Sequence, residues 1–151
     1  MSLALSISAM QYVGRMVAFR RTCIWIVALH VIVAIVHNQA HQEINVALSA
    51  FQSVFATVVI VIAPALAAAI IWHGRLRLGA IVLVISLLAS FIFGVVNHFM
   101  IDSPDQLAYI STTGWGQIFI LSAYALALTE LVGVVAGAAL LRSLERAKLA
   151  N

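Results

Sequence analysis

The chain has 151 residues, 64% of them in the AVILMFWYC set and only 9% charged, with a mean hydropathy of +1.12. A soluble domain carries about 45–50% apolar and about 25% charged residues, and no water-soluble fold of this length can hide so much apolar surface. A soluble globular domain, a disordered chain and a nucleic-acid-binding module are therefore excluded. The expectation is an all-α integral membrane protein with the lipid bilayer as its first partner. The formal net charge of +3 then belongs to membrane topology and not to nucleic acid. The single cysteine, Cys23, excludes an internal disulfide and a Cys-pair metal site.

In chain order, residues 1–20 come first as a cytoplasmic or interfacial segment. Leu3, Ile7, Met10, Gly14 and Val17 share one helical face, which suits an interfacial helix or an extension of the first span. The segment does not read as a signal peptide, because no positive charge precedes the apolar stretch and Arg15 follows it. Four apolar segments approach the roughly 20 residues that cross a bilayer as a helix. They cover about 22–41, 46–72, 78–100 and 115–141. Pro64 predicts a kink in the second. A cytoplasmic tail, 142–151, ends the chain. The connections are short and leave no room for a second domain, so consecutive helices are expected as neighbours in a single four-helix up-down bundle.

Charge orients this bundle. Arg15, Arg20 and Arg21 precede the first span, Arg75 and Arg77 separate the second from the third, and Arg142, Arg146 and Lys148 follow the fourth. All of them fall on one side, which the positive-inside rule makes cytoplasmic. Both termini are thus expected inside, in a bacterial-type inner or plasma membrane. Glu43, Asp102 and Asp105 lie in the outer loops.

Ionisable side chains inside a membrane are costly and mark candidate sites. His30, His37 and His41 follow one another at spacings of seven and four, within a stripe roughly 40° wide at about 100° per residue. His37 and His41 stand one turn apart, a spacing that lets two imidazoles share one ion. At about 1.5 Å per residue from the nearest cytoplasmic arginine, His37 and His41 lie roughly 24 and 30 Å deep. His98 comes out at roughly 31 Å and Tyr124 at roughly 27 Å. An outer cluster of His37, His41 and His98 is therefore expected, with Asn97, Tyr124, Gln52, Glu43 and Asp102 around it. Glu130, at roughly 18 Å, and His30, at roughly 13 Å, are expected to pair deeper in the membrane as a proton relay or as support for the site. Gly133 and Gly137, at G-x-x-x-G spacing beside Glu130, predict close helix packing on that face.

Three functions compete. In the first, His37, His41 and His98 hold Zn, Cu or Fe, or His37 and His98 ligate a b-type haem, in a redox or metal-handling role. In the second, the chain is an accessory subunit of a larger membrane complex, or a homo-oligomer. The third is a proton-coupled carrier built on Glu130 and His30. The zincin, P-loop and covalent-haem motifs are absent, so no catalytic residue can be named.

Overall fold

The computed structural model describes residues 2–149, with side chains from Gly14 onward. Among the described residues the chain is all helical, with no strand. It forms α1 (Ser2–Glu43), α2 (Ala50–Trp72), α3 (Leu76–Met100) and α4 (Gly114–Leu149), with one 3-10 turn at Leu107–Tyr109. Each of the four, counting α1 from Gly14, is long and apolar enough to cross a membrane.

The helix ends differ from expectation where local chemistry is strong. The backbone of α1 is continuous from Ser2, so no break near residue 20 separates an N-terminal helix from the span. The expected apolar face at residues 3–10 lies on side chains outside the described residues. α2 begins at Ala50 and not near 46, because Ser49 and Gln52 form a capping box: Ser49 Oγ accepts from Gln52 N, and Gln52 Oε1 accepts from Ser49 N. That reciprocal pair satisfies two backbone donors at the helix start. α4 continues through the expected tail to Leu149.

Two π-helical turns interrupt the spans, at Ala56–Ile62 and Val96–Met100. The first ends just before Pro64. Proline has no N–H to give the carbonyl four residues earlier, and that carbonyl belongs to Ile60. His30 Nε2 donates to it instead, at 2.8 Å. At Pro64, where a kink is expected, the helix thus has a π-helical slip in register and an imidazole from α1.

α4 packs on α1 and α3, and α2 on α1 and α3. Along the α1–α4 seam, His30 meets Thr129 and His37 meets Ser122. Seven residues forward on α1 correspond to seven backward on α4, so the two helices run in opposite senses with small side chains of α4 facing the imidazoles. Gly133 and Gly137 let α4 approach closely. A Cβ on Gly133 would collide with Leu87 and crowd Ile26, and one on Gly137 would lie 2.7 Å from Val84 Cγ2.

The interior has two halves. Near the arginine-bearing ends the core is apolar, built on Cys23, Val27, Ala67, Ile71, Ala80, Leu83, Leu87, Ala136 and Leu140. Arg20 covers its edge by lying over Trp72, and Arg77 pairs with Glu145 at the surface. Toward the other ends of the same helices the buried side chains are polar and include four histidines. The outer surface is apolar: Trp25 is 72% exposed, Phe51 69% and Val135 68%.

Candidate metal centre

His37, His41 and His98 are all buried, and each offers a ring nitrogen within 4.8 Å of the others. α1 supplies two of them from adjacent turns, and the π-helical turn at the end of α3 supplies the third. Phe119 of α4 floors the cluster, with its ring centroid 4.6 Å from that of His37, 4.7 Å from His41 and 5.4 Å from His98.

The hydrogen-bond partners determine which nitrogen of each neutral ring carries the proton. His98 Nδ1 lies 3.0 Å from the Asp105 carbonyl oxygen, which can only accept, so Nδ1–H donates. His41 Nδ1 donates in the same way to the Val46 carbonyl, at 3.2 Å. Asn45 makes that contact possible. Its φ of 57° lies in the left-handed region, which asparagine tolerates better than most residues, and it folds the chain back over the end of α1. His37 Nδ1 faces Ser122 Oγ at 2.8 Å. The Ser122 hydroxyl has one hydrogen; when it donates to the Phe119 carbonyl, at 3.0 Å, its oxygen accepts from His37 Nδ1–H.

His41 and His98 therefore carry their proton on Nδ1 and hold a lone pair at Nε2, and His37 does the same when Ser122 donates to Phe119. The Nε2 atoms of His37 and His98 face each other at 3.2 Å. His41 Nε2 lies 3.4 Å from Asp105 Oδ1, which is also 3.4 Å from His98 Nδ1. Asp105 Oδ1 is buried and makes no hydrogen bond. The lone pairs of His37 and His98 thus face each other, and that of His41 faces the Asp105 carboxylate, contacts that a cation would relieve. Two nitrogens bound about 2.0–2.1 Å from a tetrahedral ion lie about 3.3–3.4 Å apart, close to the spacing of His37 and His98. A second ring nitrogen donating to a carbonyl or hydroxyl is also the usual support of a metal-bound imidazole.

The other expected residues fall elsewhere. Tyr124 is not in the cluster: it is half exposed and packs against Phe99. Glu43 is exposed and accepts from Gln39. Asp102 accepts from the Tyr109 hydroxyl at 2.8 Å, and that bond to a carboxylate pushes the phenol of Tyr109 above its ordinary value. Asn97, next to His98, turns toward α2 and accepts from Gln52 at 3.0 Å. His30 and Glu130 do not bond to each other. His30 is held by Ile60 and Thr129, whereas Glu130 accepts a short hydrogen bond from Ser90 of α3. His30 thus has a structural explanation, as the donor to the carbonyl beside Pro64. Asp105, Ser122 and Phe119 are the site residues that sequence reasoning missed as members of the cluster. Asp105 stood there only as a loop charge, though the Ser103-Pro104 turn before it was a signal that the chain folds back.

Comparison with protein families, with curated proteins and with solved structures gave no match. The functional reading therefore rests on the geometry of this centre.

Proposed function

We propose that this chain is an integral membrane protein, crossing the bilayer four times up and down with both termini cytoplasmic, that binds one transition-metal ion on His37, His41 and His98. The observation that carries the metal is the set of three buried imidazoles with ring nitrogens within 4.8 Å of one another, beside a buried Asp105 oxygen that makes no hydrogen bond. Three neutral imidazoles suit zinc or copper, and also iron. Three protein nitrogens would leave a coordination position for Asp105 or an external ligand. When bound, such an ion supplies a Lewis acid. The chain's own part is to fix the tautomers through Asp105, Val46 and Ser122, and to exclude water with Phe119.

Membrane insertion is supported by four apolar helices with apolar outer faces, and the orientation by the arginines. An ion is favoured over a haem because His41 and Phe119 pack against both His37 and His98. That packing leaves no slot for a macrocycle between those two rings. The resulting role is metal handling within the membrane.

The test is elemental analysis of protein purified in mild detergent and reconstituted with Zn²⁺ or Cu²⁺. One ion per chain is expected. His37→Ala and His98→Ala should each lose it, and His73→Ala, at the exposed end of α2, should retain it. A wild-type chain that retains no ion after reconstitution overturns the reading and leaves the accessory-subunit role as the better one.

A further inference from the structure

A cavity of about 290 Å³ runs from the histidine cluster to Glu130. Its length follows α3 from His98 back to Ser90, eight residues or about 12 Å. Its walls are apolar, with Ala34, Ile60, Phe93 and Leu126 among them. Gly94 leaves much of the room: a Cβ there would meet nothing within 4 Å. Polar groups stand at the two ends, with His37, His41, His98 and Asp105 at one and Glu130, bonded to Ser90, at the other.

We infer that this cavity binds a small hydroxylated aromatic molecule, a phenol-class ligand, with its oxygen at the three-histidine centre and its ring beside Gly94. The inference rests on the metal reading given above. Three neutral nitrogen ligands leave the ion a position that an oxygen donor can fill. The apolar walls give a water few partners and an aromatic ring many. The volume is at the lower end for small-molecule sites, which suits one or two fused rings. Glu130 and Ser90 close the far end and can hydrogen-bond a second polar substituent on the ring.

The experiment uses full-length protein loaded with Co²⁺, whose visible bands report changes in coordination, and 1-naphthol as the probe. Addition of 1-naphthol should shift the bands, and naphthalene, which has the ring but no oxygen, should not. Gly94→Leu should retain Co²⁺ in full and lose the 1-naphthol response, because the leucine occupies the space of the ring. Co²⁺ bound without a response to 1-naphthol, or a response that survives Gly94→Leu, overturns this proposal while the metal centre stands. Failure to bind Co²⁺ or Zn²⁺ at all overturns the centre itself, and this proposal with it.

Discussion

At the scale of single residues, the centre depends on protons being in the right places. Each imidazole must be neutral at Nε2 to ligate, and an unperturbed histidine takes up a proton below about pH 6.5. Protons therefore compete with a bound ion, so any stability it confers is largest at high pH and declines as pH falls. The apparent Zn²⁺ affinity, measured by chelator competition from pH 8 down to pH 5, should fall with pH, and an affinity independent of pH would contradict imidazole ligation. Asp105→Asn keeps the shape and the backbone carbonyl that orients His98 but removes the charge. Loss of the carboxylate beside His41 should weaken metal affinity by about 10–100-fold, and competition with a chromophoric chelator would read it. Glu130 supplies a third test. Glu130→Gln keeps an acceptor for the Ser90 hydroxyl, whereas Glu130→Leu leaves that buried hydroxyl unpaired, at a cost of about 1–3 kcal/mol. Thermal unfolding in detergent should rank leucine well below glutamine, and equal melting would mean that the Ser90 contact contributes nothing.

At the scale of the helices, the glycines of α4 and α3 have opposite roles. Gly133→Val drives a side chain into Leu87 and Ile26 and should destabilise by about 1–3 kcal/mol, whereas Gly94→Ala meets open space and should melt near wild type. The same helices mark how far the sequence could be read. Spacings of seven and four placed His37 and His41 on one face, and counting from Arg77 brought His98 to their height. Height along a helix is not direction around it, however. Tyr124 and Phe119 are five residues apart, or about 140° around the helix, and it is Phe119 that faces the histidines. Likewise Thr129, one residue and about 100° from Glu130, is the neighbour of His30. The π-helical turns, at Ala56–Ile62 and Val96–Met100, lie inside helical spans whose residue pattern carries no mark of a slipped register. Asp105 could not be placed by counting, because its position depends on the turn at Ser103-Pro104 and not on a helical rise.

At the scale of the molecule, the prediction concerns orientation. A cysteine introduced at position 146 should be shielded from an impermeant thiol reagent in intact cells, and one at position 108 should react. The native Cys23 is buried and adds little background. Labelling at 146 in sealed cells would reverse the topology. The histidine centre also draws on the chain from end to end. Two ligands lie on the helix made first, the third closes the third helix, and Ser122 and Phe119 arrive only with the fourth. If the proposed ion is bound, its final setting exists only after the last helix has joined the others. Metal content becomes a record of completed assembly: a chain halted after Met100 carries all three histidines yet should leave the ribosome unable to keep the ion.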